Sequence, residues 1–269
     1  ILNRLIDPRP QLVALTLATH GTTLRYLSRH DDALARYAEA LNVPELPKSG
    51  QITVLRRRGT ALACRGDLQE GLSSVEEALA LDPSDITSVA MRGWARMNIG
   101  DFYGALQDCF DVIQQADTRL EAGSFAGAVI NASTILRYES VQTDSELLAR
   151  LAKAIENCRR EQISASGSSF YTTLRMKALV DRAEALLAGR RGDYRRSCKL
   201  LRRAVDHLAD KFQDDAFFAA VDLIHAYVKS RQEDRAVDAC KSVLEFSDSV
   251  SFHLDRAALS LTRLAVEQR

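Results

Sequence analysis

Apolar residues recur at intervals of three and four along most of the chain. Between Gly66 and Asp85, Leu72, Val75, Ala78, Leu79 and Leu81 trace one face, while Glu70, Glu76 and Glu77 fall off it. A period near 3.6 predicts an amphipathic helix there. Gly66-Asp67 separates it from a preceding helix, and Asp82-Pro83 stops it, because proline has no amide proton for the helical ladder. Strand signals are scarce: alternating Val/Ile/Thr runs are few, no Asn-Gly hairpin turn occurs, and Ala, Leu, Arg and Glu abound. The pattern predicts an all-α chain built from helix, short turn, helix, stop.

That pattern repeats. Residues 52–85 align with 86–119 through Ile52/Ile86, Thr53/Thr87, Arg58/Arg92, Gly59/Gly93, Ala61/Ala95, Gly66/Gly100, Asp67/Asp101 and Leu72/Leu106, each pair 34 residues apart. Gly59 and Gly93 are expected to let one helix approach its partner, with Ala78 and Ala105 doing the same from the other side. Gly66 and Gly100 suit a turn with positive φ, which glycine alone adopts cheaply. The period and these residues resemble the tetratricopeptide repeat. The resemblance is clearest over 52–85, continues over 86–119, and reaches 14–47 through Gly21, Leu24, Ala33, Tyr37, Ala40 and Leu41. Pro44 and Pro47 end that first repeat, and residues 48–51 read as a linker. Further repeats fit 178–211, around GDYRRSCKLLRRAV, and 217–250, through Tyr227, Ala236, Cys240 and Val243. Residues 121–160 read as two helices joined by a longer, irregular turn. Residues 164–169 read as a flexible linker, and 251–269 as a closing cap helix.

The resemblance implies a right-handed α-solenoid of antiparallel helix pairs, a superhelix whose concave surface comes largely from the first helix of each pair. One pair cannot bury its own apolar face, so neighbours must stack. A single solenoid over 1–269 is expected, with two lobes meeting at 164–169 as the alternative.

Composition narrows the function. Lys plus Arg equals Asp plus Glu at 36 each, so no global field favours nucleic acid or membrane. No apolar run approaches the roughly 18 residues needed to span a bilayer. Five widely spread cysteines without a C-x-x-C argue against a disulfide framework or zinc site and fit a reducing, cytoplasmic setting. ILNRLIDPRP lacks the features of a signal peptide, and the absence of an initial Met hints at a piece of something longer. Phosphate-loop, dinucleotide, zinc-protease and serine-hydrolase motifs are all missing, so no catalysis, cofactor or metal is expected. The histidines read as surface or groove-wall groups, and Cys109 and Cys240 as packed thiols. Asn131-Ala132-Ser133 reads as a chance sequon inside a helix. Two basic runs stand out: Arg56-Arg57-Arg58, and seven cations between Arg190 and Arg203. Arg195, Lys199, Arg202 and Arg203 read as sharing one helix face, solvated beside acidic neighbours, with phosphate or RNA contact or an acidic protein partner as alternatives.

By resemblance, the ligand-facing places are Arg25 and Tyr26 in the first repeat, Arg56 and Thr60 in the second, and Trp94 and Asn98 in the third. Arg182, His225 and Lys229 continue the series. Trp94, the sole tryptophan, reads either as a groove-facing anchor beside Arg56 and Thr60 or as a filler between helices. The Lys/Asn/Arg clamp of the chaperone-tail-binding subclass has no match at Ala18, Thr22 and Met91, so chaperone tails are not expected. The reading is a non-catalytic scaffold that holds a partner peptide or helix in its groove. The alternative is a sensor or regulatory arm of a larger multidomain protein. Self-association and membership of a larger complex are compatible with either, and nucleic acid is not the expected partner.

Overall fold

The computed structural model describes residues 9–115, 122–138, 140–164, 170–209 and 212–247. Every regular element among them is a helix. They run α1 (Arg9–Tyr26), α2 (His30–Leu41), α3 (Lys48–Arg65), α4 (Leu68–Leu81), α5 (Ile86–Ile99), α6 (Phe102–Gln115), α7 (Ala122–Ile135), α8 (Ser145–Ser164), α9 (Phe170–Arg190), α10 (Tyr194–Leu208), α11 (Gln213–Lys229) and α12 (Glu233–Ser247). The fold class is all-α, of the α-solenoid type built from antiparallel helix pairs. The cap expected at 251–269 lies outside the described residues. So does 165–169 of the expected linker, while Ser164 is the last residue of α8. Residues 48–51 are not a linker but the first turn of α3, entered from Pro47, whose φ of −59° suits a helix entrance.

The turns inside pairs share one construction. Gly66, Gly100 and Gly192 have φ of 109°, 89° and 82°. The next residue, an aspartate each time, donates its backbone N–H back to the carbonyl of Leu62, Arg96 or Ala188 at 2.9–3.0 Å. This left-handed closure satisfies carbonyls that the ending helix leaves open. In the first and last described pairs Ser28 and Arg231, both at φ 58°, occupy the same place. Arg29 and Gln232 then donate back to Leu24 and Tyr227 at 2.9 Å.

The chain forms two compact units, 1–128 and 129–269. In the first unit each helix packs on the next in sequence from α1 to α6. Here α1 also packs on α3, and α3 on α5, whereas no comparable contact joins α2 to α4 or α4 to α6. First helices therefore form a row. Between α1, α2 and α3 the core is lined with small residues, Ala14, Ala18, Ala33, Ala40 and Ala61, around the fully buried Tyr37. At the α3–α4 crossing two facing glycines bring the helix backbones together. A methyl on Gly59 would lie 2.8 Å from the Gly71 carbonyl, and one on Gly71 would lie 2.9 Å from the Gly59 carbonyl. Gly59 thus approaches its partner helix as expected, but the facing residue is Gly71. Ala78 instead packs with Ile52 and Leu55. Gly93 faces Asp108, Ala105 and Cys109 with more room, the nearest atom being at 3.1 Å.

In the second unit α9 packs on α8, α10 and α11, and α12 on α11. Helix α10 buries Cys198, Leu201, Ala204 and Leu208, a spacing of three and four that leaves its arginines outside. The long turn between α7 and α8 is held by Arg190, which donates to the Val141 carbonyl and to Thr143 Oγ1 at 3.1 Å. Ser133 of the sequon is fully buried and Asn131 half-buried, in keeping with a chance match.

Candidate functional site

In the first unit, six of the sequence-predicted residues lie along the first helices, at or toward their C-terminal halves. Tyr26 is exposed, at 74%. Arg25 is half-buried, its guanidinium 4.2 Å over the Tyr26 ring and its Nη1 3.8 Å from Cys64 Sγ. Thr60 and Asn98 turn their polar ends onto their own helices: Thr60 Oγ1 donates to the Arg56 carbonyl at 3.1 Å, and Asn98 Nδ2 to the Trp94 carbonyl at 2.7 Å. Trp94 is half-buried. Arg56 has a different employment from the one expected. Its Nη1 donates to Asp85 Oδ2 at 2.9 Å, and the same carboxylate oxygen caps α5 by accepting from the Ser88 backbone N–H at 2.9 Å. Arg56 therefore ties α3 to the start of α5. The neighbouring arginines are also engaged. Arg58 donates to Ser74 Oγ at 2.9 Å and to both Glu77 oxygens, and Arg57 donates to Thr19 Oγ1 at 3.2 Å.

In the second unit, Arg182 is 6% exposed and donates its Nε to Asp222 Oδ2 at 2.6 Å. Its charge is spent inside the unit rather than offered at a surface. Asp222, 3% exposed, also pairs through Oδ1 with Nη2 of Arg137, itself 5% exposed. Two buried cations thus share one anion. Arg137 Nη2 lies off the line of a good hydrogen bond, and among the described residues its Nε has no acceptor. Beside this triad lies a cleft of about 290 Å³ lined by Arg137, Leu186, Tyr194, Ser197, Asp222 and His225. His225 and Lys229 are half-buried on α11. Sequence reasoning missed Arg137 and Asp222, which lie 85 positions apart (222 − 137) in stretches without a shared motif.

The second basic run divides by direction. Arg196 pairs with Glu184, and Arg203 with Asp181 at 2.6 Å, whereas Arg195, Lys199 and Arg202, expected to lie beside acidic neighbours, have no carboxylate partner among the described residues. Asp181, 4% exposed, takes Arg159 as well, at 2.7 Å. Among the described residues no group of three His, Cys, Asp or Glu could hold a metal ion, and no helix is long and apolar enough to cross a membrane.

The thiols differ in access. Cys109 is fully buried, as expected, but Cys240 is exposed. Burial pushes the Cys158 thiol up to about 11 and also raises Cys198. Because the thiolate is the nucleophile, a maleimide at pH 7 should label Cys240 first in the native protein. Cys109 and Cys158 should react only on unfolding, and equal native rates at all five sites would contradict this burial pattern.

No family model and no curated protein matches the sequence. Solved structures do match. NprR in complex with its cognate peptide NprX is 9% identical with a TM-score of 0.67, over 94% of this chain and 72% of that one. The apo form of the quorum sensor NprR from B. thuringiensis is 11% identical with a TM-score of 0.60, over 96% and 69%. A tetratricopeptide repeat protein from Parabacteroides merdae is 15% identical with a TM-score of 0.54, over 96% and 94%. At such identities the likeness is one of architecture. Taken with the 34-residue period and the Gly-Asp turns, it shows that the chain has the tetratricopeptide-repeat fold.

Proposed function

We propose that this chain is a non-catalytic interaction module that holds a peptide or helix of a partner protein against its first helices. The observation that carries this reading is the row α1–α3–α5, which presents the exposed Tyr26 and the half-buried Trp94 along one layer of the first unit. Aromatic anchors of this kind supply much of the affinity in protein interfaces at small entropic cost. That NprR has this architecture in complex with its cognate peptide supports the reading. A regulatory arm within a larger protein is the second reading, favoured by the likeness to a quorum sensor. An effector domain in the full-length gene would support it.

The test is affinity capture from the native cell extract with wild-type protein, Trp94→Ala and Tyr26→Ala. Capture of the same partners should fall by about tenfold or more for at least one variant, with unchanged circular dichroism. Arg56 is unsuitable for this test, because Arg56→Glu would set a second carboxylate against the cap of α5. Undiminished capture by both aromatic variants would refute the assignment.

A further inference from the structure

On α10, Arg195, Lys199 and Arg202 recur at four and three residues, so they share a face. That face borders a cleft of about 490 Å³ between α10 and the start of α12, where Arg235 is a fourth lining cation. Tyr227, Ser230, Cys198 and Gln232 also line it, and among the described residues no carboxylate takes part. The contrast with the other side of α10 is sharp: Arg196 and Arg203 hold Glu184 and Asp181 there. Among the described residues the cleft cations find only neutral partners. Arg202 donates to the Tyr227 hydroxyl, with its guanidinium 5.8 Å from that ring, and Arg235 donates to Gln232 Oε1 at 2.8 Å. Neither Arg195 nor Lys199, both exposed, has an acidic partner among the described residues. Four like charges gathered on a chain of zero net charge repel one another unless an anion joins them.

We propose that the α10–α12 cleft binds a phosphoryl group carried on a phosphorylated serine or threonine of a partner protein. A phosphoryl group brings nearly two charges and three strong acceptors, which suits guanidinium forks better than a single carboxylate does. The Tyr227 hydroxyl accepts from Arg202 and so keeps its own proton to donate. Cys198, raised by burial, stays a neutral thiol and adds no opposing charge. RNA would need exposed rings on which bases stack, and the one aromatic residue of the cleft among the described residues, Tyr227, is 2% exposed. The cleft belongs to α10–α12 and the aromatic row to α1–α5, so either assignment can fail alone.

The test uses the whole chain and the double variant Arg195→Gln/Lys199→Gln, which alters exposed positions and should leave circular dichroism unchanged. The probes are inorganic phosphate, a short peptide with one phosphoserine, its serine counterpart, and polyuridine. In low salt the phosphoserine peptide should bind wild type about tenfold or more tighter than the serine peptide, a preference that the variant loses and added salt weakens. Phosphate should compete with it, and should raise the melting temperature of wild type beyond matched chloride but not that of the variant. Equal binding of the phosphoserine peptide by wild type and variant would overturn the proposal. Binding of phosphate without the peptide would overturn the peptide source, and tighter capture of polyuridine would assign the cleft to nucleic acid instead.

Discussion

Asp222→Ala should destabilise the second unit by about 3–5 kcal/mol, the cost expected when a buried ion pair loses one partner. Asp222 receives Arg182 at 2.6 Å and also pairs with Arg137, and all three residues are 6% exposed or less. Without the carboxylate, two guanidinium groups would face each other inside the unit with nothing to balance them. Water entry or local opening would have to relieve them. Asp222→Asn keeps an acceptor oxygen but not the charge, so its loss should be smaller. Urea unfolding followed by circular dichroism measures both. The companion variant is Asp222→Leu/Arg137→Met/Arg182→Leu, which removes all the charge while keeping volume. It should recover most of the stability, because the uncompensated cations and not the missing contacts carry the penalty. A loss of under about 1 kcal/mol in Asp222→Ala would mean that the two arginines are satisfied by something other than Asp222.

Gly59→Ala should cost the first unit about 1–2 kcal/mol even though alanine is the better helix former. The intrinsic preference favours alanine by roughly 0.5–1 kcal/mol. Against it, the new methyl would sit 2.8 Å from the Gly71 carbonyl oxygen and 2.9 Å from Val75 Cγ2. Backbone cannot rotate aside as a side-chain tip can, so α3 and α4 must separate, and overpacking of this kind costs about 1–3 kcal/mol. Gly59→Val, bulkier and β-branched, should unfold the unit at lower urea still. Gly93 supplies the control, since its methyl would meet Asp108 Cβ at 3.1 Å and little else closely. Gly93→Ala should change stability by less than about 1 kcal/mol. Equal losses at the two glycines would mean that backbone proximity at the α3–α4 crossing is not what separates them.

Helix pairs and their turns were legible because both are local. The apolar period, the Gly-Asp pairs and the 34-residue offset each lie within a few dozen positions, and they predicted α4 to α6 closely, while α3 begins at Lys48, ahead of the expected 52. The turns at Ser28 and Arg231 carry no glycine and so gave no signal, although their backbone is the same. The charged side chains were harder. Arg56 and Arg182 resembled ligand-facing positions, but their partners Asp85 and Asp222 stand 29 and 40 residues away. Nothing in the neighbourhood of an arginine says whether its charge is spoken for by another helix pair. The second basic run showed the same limit: helical spacing told which cations share a face, and only the positions of Asp181 and Glu184 told which face is neutralised.

The bond from Arg56 to Asp85 has a bearing on how such a chain can change over generations. Moving each position on by one period lands on Ala90 and Arg119, so the link is not copied in the next repeat. Exchanging the second and third repeats would carry Arg56 and Asp85 away together and leave α5 without its cap, and a duplicated third repeat would set Arg119 before α5 in place of Asp85. Repeats that look interchangeable in their small residues are in this respect individually addressed, and the chain should tolerate growth at its ends more readily than shuffling of its order.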